Sequence, residues 1–372
     1  MTAARAYSGG WLAAAVAVAA ALILGAPYIG QLRTSIRASA GSQFPALMAG
    51  VVIAALLIAV VYAIVRIGET AARRAARYGA LAAAVLIAVG YAVATATGNP
   101  DVDAVERFHF VEYGLITALF YRAWRPAGDA SVIVMPVLAG LLVGTLEEWF
   151  QWFIPARVGE VRDVFLNLVA ITTGLLFSLG LDPPVSLARL SAASRRRAAI
   201  LGAIVLVIFG GFFQSVHLGY EIGDAEAGVF RSRYSAAEIA AVGEERAARW
   251  KAHPPMTWSR LSQEDQYMTE GLAHVQRRNQ MWEAGNVLAA RHENLILERY
   301  YAAVLDSPSY VSPTGHRWTP EQRADAESRG HGFMIYVSDA LTYPVFVWPK
   351  WEFWLAMAAL AAIILRQLWR PA

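Results

Sequence analysis

The chain contains repeated apolar runs, each long enough to cross a bilayer as a helix. A spanning helix needs roughly 20 apolar residues, and its backbone must satisfy its own hydrogen bonds in lipid. The eight runs lie at 11–30, 44–66, 79–97, 108–124, 131–151, 162–181, 198–216 and 346–366. They predict an all-α fold: a polytopic helical membrane protein with about eight transmembrane helices.

Composition agrees with a membrane protein and excludes several other classes. Only 16% of the 372 residues are charged, against about 25% in ordinary soluble domains. There is no cysteine, which excludes disulfides, iron–sulfur clusters, thiol nucleophiles and cysteine-ligated zinc. The net charge of +3 comes mostly from arginine clusters between apolar runs. That pattern is typical of cytoplasmic loops, so no nucleic-acid partner is predicted.

The arginine clusters predict the topology. They follow the second, fourth and sixth runs, at 66–77, 122–125 and 189–197. Loops rich in arginine stay in the cytoplasm, so both termini are predicted to be cytoplasmic, in a bacterial plasma membrane. Arg33 and Arg37 then fall on the outer side, against the rule.

Residues 217–345 differ in composition from the rest. They are charged, with apolar residues at helical spacing, and predict an inserted extracytoplasmic helical domain. Ser235 with Glu238 and Thr319 with Gln322 predict helix starts. Five divisions are predicted: N-terminal transmembrane helices (1–97), a transmembrane core (98–181), a cytoplasmic loop with the seventh span (182–216), the outer domain (217–345) and a last transmembrane helix (346–372).

A charged turn between the fifth and sixth runs is the most unusual feature. Charges near a bilayer core cost at least a few kcal/mol, so they are usually paired, buried or functional. Glu148 and Gln151 share one helix face, and Asp163 and Asn167 share another; Pro155 interrupts the helix between them. With the fourth run, these helices predict one outer pocket, formed by His109, Tyr113, Glu148, Gln151, Arg157, Asp163 and Asn167.

These residues resemble the VanZ-like family of integral membrane proteins. The matching stretches are Glu148-Trp-Phe-Gln151, Pro155-Ala-Arg157, Asp163-Val-Phe-Leu-Asn167 and His109-Phe-Val-Glu-Tyr113. The resemblance covers residues 80–181 approximately, and 98–181 is interpreted as the VanZ-like core. The chain departs from the pattern at Val105-Glu106, where the family often has Asp-Lys, and at Ala170, where it has Gly. The outer domain resembles no family.

The family is named for raised tolerance to the glycopeptide teicoplanin, so the resemblance implies an envelope function. We expect a non-catalytic protein that binds an anionic lipid or lipid-linked phosphate at the outer leaflet. Arg157 would be the main contact, because a guanidinium binds phosphate through paired hydrogen bonds.

Other interpretations remain open. The charged cluster fits equally a structural ion-pair network that joins the helices. The protein could also be an accessory subunit that docks a protein partner through residues 217–345. The adjacent Glu147 and Glu148 resemble the glutamate pair of membrane CAAX-type proteases, but Gln151 stands where those enzymes need arginine. His292-Glu293 lacks the second histidine of a zinc helix. No metal, no cofactor and no catalytic residue are predicted.

Overall fold

The computed structural model describes residues 7–70, 72–154, 157, 159–184, 186–253, 265–309, 312–329 and 335–368. The chain divides into two compact units. Unit 1 comprises Met1–Phe150, Val161–Gly211 and Leu355–Ala372, and unit 2 comprises Gln151–Glu160 and Phe212–Trp354. The described residues are mostly helical, which confirms that part of the predicted fold class.

The first eight helices are mainly apolar. They are α1 (Gly9–Ala40), α2 (Phe44–Gly68), α3 (Arg74–Ala94), α4 (Pro100–Glu106), α5 (Phe108–Trp124), α6 (Ser131–Gln151), α7 (Val161–Leu181) and α8 (Ala192–Val216). Helix α1 continues ten residues beyond its predicted end at residue 30. A single 3-10 turn separates it from α2.

Five described segments are long and apolar enough to cross a membrane. They are Gly9–Gly68, Arg74–Ala94, Ser131–Gln151, Val161–Leu181 and Ala192–Val216. The first contains both α1 and α2, whereas α5 has only 17 residues. The prediction of several apolar helices is therefore confirmed, and the count of eight spans stays a prediction.

At one end of unit 1, the start of α3 meets the ends of α5 and α7. The Arg77 guanidinium donates to the carbonyl oxygens of Gly180 (2.8 Å) and Leu181 (2.7 Å). Arg125 forms an ion pair with Asp182 at 2.7 Å. Arginines of two predicted cytoplasmic loops thus bind the C-terminal end of α7.

At the other end of unit 1, α1 and α7 each bind α4 through an ion pair. Arg37 lies 2.5 Å from Asp101, and Arg162 pairs with Glu106. The pairing gives an acidic neighbour to Arg37, which the predicted topology places on the outer side.

Small residues allow α5, α6 and α7 to approach closely. A Cβ at Gly174 would lie 2.8 Å from the Cα of Gly114, and one at Gly140 would lie 2.9 Å from the Ile171 side chain. Small residues at such contacts are the usual means of packing helices in lipid. The core that they allow includes Phe110, Tyr113, Ile116, Leu166 and Ala170.

Unit 2 combines helices with a small sheet. Its elements are β1 (Leu218–Asp224), β2 (Gly228–Ser232), α9 (Ala236–Ala252), α10 (Asp265–Glu283), α11 (Val287–Tyr300), α12 (Ala302–Leu305), α13 (Pro320–Arg329) and β3 (Phe346–Val347). Strand β1 lies in the middle, antiparallel to β2 and parallel to β3. Helix α14 (Lys350–Leu365) follows, and its later residues belong to unit 1.

The sequence did not predict the sheet, but it did predict two helix starts. The capping box of Ser235 and Glu238 is formed at α9. The Thr319 hydroxyl accepts from the Gln322 backbone at 3.2 Å, and the Gln322 amide accepts from the Thr319 backbone at 3.0 Å. Both predictions are confirmed. The core of unit 2 packs strand residues such as Phe230 against Tyr267, Leu297 and Tyr301 of the helices and their junctions.

Candidate functional site

In unit 1, a histidine and an asparagine join α5 to α7. His109 is the second residue of α5, and its Nδ1–H donates to Oδ1 of Asn167 at 2.7 Å. Asn167 is fully buried. Because α5 and α7 cross closely at Gly174, these two side chains can reach each other across the helices.

A tyrosine and a glutamate join α5 to α6 next to this pair. The Tyr113 hydroxyl donates to Oε2 of Glu147 at 2.5 Å, and both residues are buried. The ring of Tyr113 stacks on His109 with 6.1 Å between centroids. Glu147 was not among the predicted site residues. The sequence could have indicated Glu147 as a site residue, since it is next to Glu148 on a helix whose surrounding residues are apolar.

Glu148 and Asp163 have different surroundings. Glu148 is fully buried on α6, whereas Asp163, in the first turn of α7, is half-buried. Among the described residues, no hydrogen-bond donor or cation lies within bonding distance of the Asp163 carboxylate. Its neighbour Arg162 pairs with Glu106 instead.

The amide of Asn167 is only half satisfied. Its Nδ2 is buried and has no hydrogen-bond partner in the part of the chain that the structure describes. A Cβ at Gly144 would lie 3.0 Å from this nitrogen and 3.3 Å from the Tyr113 ring. A glycine is therefore needed here for α6 to pack on the polar pairs.

In unit 2, the segment after α6 fixes an arginine. Nε and Nη2 of Arg157 donate to Oε1 of Gln151, at 3.2 and 2.6 Å, and its backbone N–H donates to Ile154 O at 3.0 Å. Pro155, the predicted helix breaker, lies outside the described residues. Arg157 is half-buried, and no carboxylate of the described chain pairs with it.

A second arginine of unit 2 contacts the same segment. The Arg233 guanidinium lies over the Trp152 ring, 4.7 Å from its centroid. The indole N–H of Trp152 donates to Gln266 at 3.3 Å. These contacts anchor the segment that carries Arg157 to α10 and to the residue that follows β2.

Unit 2 also contains a buried polar network that the sequence did not predict. Nδ1–H of His274 donates to Glu293 at 2.6 Å, and the hydroxyls of Tyr336 and Ser338 donate to the same carboxylate, each at 2.5 Å. Burial opposes ionisation, but these hydrogen bonds hold the pKa of Glu293 below its usual value. The signal lay in α10, where Glu270, His274 and Arg278 follow at four-residue spacing on a buried face.

By the described contacts, His109, Tyr113 and Asn167 form one group in unit 1, and Gln151 with Arg157 forms another in unit 2. His109 binds Asn167, Tyr113 binds Glu147, and Gln151 binds Arg157. Gln151 and Arg157 belong to unit 2 and the other five to unit 1, so the single seven-residue pocket stays a prediction. Within the described residues, no three His, Cys, Asp or Glu side chains are grouped to hold a metal ion.

The chain matches no family model, and no curated protein and no solved structure is similar to it.

Proposed function

We propose that this protein is a VanZ-like polytopic membrane protein of the bacterial envelope that binds an anionic lipid or lipid-linked phosphate at the outer leaflet. Arg157 is the main contact for the phosphate in this proposal. A resulting effect on tolerance to glycopeptide compounds belongs to the same proposal.

The observation that carries the proposal is the neutral partner of Arg157. Two of its N–H groups bind the Gln151 amide, which orients the guanidinium, and no carboxylate of the described residues compensates its charge. Arginines that serve packing alone usually pair with a carboxylate when partly buried. A phosphate supplies the missing negative charge and accepts paired hydrogen bonds from the remaining donors.

The proposed topology has eight spans with both termini in the cytoplasm. Helices α5 and α14 complete the count, although each is shorter than the ideal length. The arginines that bind the end of α7 lie on the cytoplasmic side. Arg157 and residues 217–345 are then extracytoplasmic, where the headgroup would be available.

An accessory-subunit function is the second candidate. Two apolar side chains of unit 2, Ile335 and Val337, are 79% and 64% exposed, which favours a protein contact. Affinity purification from native membranes separates the two candidates. A stoichiometric partner that is lost in Val337→Asp supports the subunit function. If no such partner is found, the subunit function is contradicted.

Lipid binding is tested with the full chain in nanodiscs. We expect Arg157→Gln to weaken binding of a polyprenyl phosphate by about tenfold or more, because a hydrogen bond to a charged group contributes ~1.5–3 kcal/mol. Arg231→Gln is the matched control, since Arg231 of the same unit is exposed and already pairs with Glu221.

Separate titrations with phosphatidylglycerol and inorganic phosphate distinguish the sources of the anion. Tighter binding of polyprenyl phosphate than of the other two supports a lipid-linked carrier. Equal affinity of wild type and Arg157→Gln for all three probes would rule out the proposed site.

A further inference from the structure

A groove in unit 1 is lined only by apolar side chains. Its volume is about 410 Å³, and it lies between α6, α7, α8 and α14. Helix α7 contributes Phe165 and Leu168, and α8 contributes Leu206 and Phe209. All eleven lining residues are apolar, so the groove offers no partner to a polar ligand.

The groove runs beside the first two turns of α7. Its lining on that helix extends from Val161 to Leu168, and its lining on α8 from Gly202 to Phe209. At 1.5 Å per residue, each stretch is about 10 Å long. Asn167 of α7 contacts His109 of α5 instead, so the groove is separate from the polar pairs.

The dimensions indicate what can occupy the groove. A membrane helix of a partner protein is about 30 Å long and needs a matching face over most of that length, three times what the groove provides. A volume of 410 Å³ lies within the range of small-ligand sites. The lining helices α6, α7 and α8 are apolar enough to cross a membrane, so hydrocarbon chains of lipid are the molecules in contact with this surface.

We propose that this groove binds one acyl chain of a membrane phospholipid. Exposed Phe165, at 60%, lies at its margin, and half-buried Leu141, Leu168 and Leu206 hold the chain within it. Each chain methylene that leaves bulk lipid gains close packing against fixed side chains. The site needs no headgroup contact, so it is independent of the role proposed for Arg157.

The test uses phosphatidylglycerol with a photoreactive diazirine in its acyl chain, incorporated with the full protein into nanodiscs. We expect cross-links on α7 and α8 lining residues that saturate with probe fraction and that unlabelled phosphatidylglycerol displaces. Leu206→Trp fills the groove and should remove most of these cross-links, because the indole occupies the volume in which the chain packs. Ile204→Trp is the control, since Ile204 on the same helix is 45% exposed and is not part of the lining.

Leu168→Trp blocks the groove from α7 and serves as a second variant in case Leu206→Trp fails to fold. Gel filtration and thermal unfolding show whether each variant is folded. Labelling of Leu86, which is 71% exposed on α3, as strong as that of the groove would overturn the site. Displacement by a polyprenyl phosphate but not by phosphatidylglycerol would overturn the acyl-chain assignment.

Discussion

The two units bury polar side chains in different ways. In unit 2, Glu293 accepts from three side chains, and Glu270 accepts from Ser232, Tyr301 and Gln266 side chains and from the Arg233 backbone. In unit 1, one described hydrogen bond joins His109 to Asn167 and another joins Tyr113 to Glu147, and Nδ2 of Asn167 has no described partner.

The proposed locations of the two units, in lipid for unit 1 and outside it for unit 2, would produce this difference. A carboxylate removed from water needs several donors to offset its lost hydration, and unit 2 supplies them from helices and loops alike. Helices in lipid already associate through close packing of small residues. Their few polar contacts fix the rotation of one helix against another.

The largest expected effect on stability is in the buried polar network around Glu293. Glu293→Ala removes the partner of buried His274, and breaking such a pair typically costs ~3–5 kcal/mol. Pulse proteolysis in urea should show this loss in the free energy of unfolding of unit 2. Glu226→Ala is the control: this side chain is 71% exposed, so the expected change is below ~1 kcal/mol. Equal losses in the two variants would contradict a structural role for the network.

A pH-dependent loss of stability is expected from His217. Burial lowers its pKa to about 4; the Arg233 charge acts in the same direction, and the hydrogen bond to Pro344 O opposes it. The unfolded chain therefore binds the proton first as the pH falls below about 6.5, and stability declines until about pH 4.

The full loss from this histidine is on the order of 3 kcal/mol, since its pKa is about 2.5 below 6.5 and one pKa unit corresponds to about 1.4 kcal/mol. Unfolding of wild type and His217→Phe, measured at pH 7.5 and at pH 4.5, isolates its share. The variant should lose less stability between the two pH values. An identical pH dependence would show that other groups are responsible.

A smaller effect is expected from close packing in unit 1. Gly174→Ala places a methyl group 2.8 Å from the Gly114 backbone, and overpacking of this kind costs ~1–3 kcal/mol. Gly114→Ala is the reciprocal control, because its Cβ would meet no atom within 4 Å. Thermal unfolding in detergent should separate the two variants. A larger loss from Gly114→Ala would contradict the described crossing of α5 and α7.

Sequence reasoning was most successful where one local signal dominates. Apolar runs predicted α2, α5, α6 and α7 closely, because lipid leaves a long apolar segment little choice but a helix. The cap at Ser235 was predicted because its hydrogen bonds lie within four residues. Among the site residues, the sequence placed His109 and Asn167 in one predicted pocket, but it did not predict the hydrogen bond between them, since 58 positions separate them.

The hairpin was missed because its signal is short and lies beside long charged helices. Tyr220, Ile222 and Phe230 are typical strand residues. The turn depends on Asp224, whose carboxylate accepts from the backbone of Glu226 and Ala227 at 2.9 and 2.8 Å. Gly228 follows with φ +102, a conformation that favours glycine. The sequence signal for this hairpin was an aspartate, Asp224, followed four residues later by a glycine, with apolar residues on both sides.

The pairing of β1 with β3 has a consequence for how such a chain can change. The Phe346 N–H donates to His217 O at 2.7 Å, so the chain leaving α8 and the chain approaching α14 run side by side, about one strand spacing apart. A segment whose entry and exit are neighbours can be lengthened, exchanged or deleted with a short join. We therefore expect the segment between β1 and β3 to tolerate insertions and exchanges, except at Arg233 and Gln266, which hold the segment that carries Arg157.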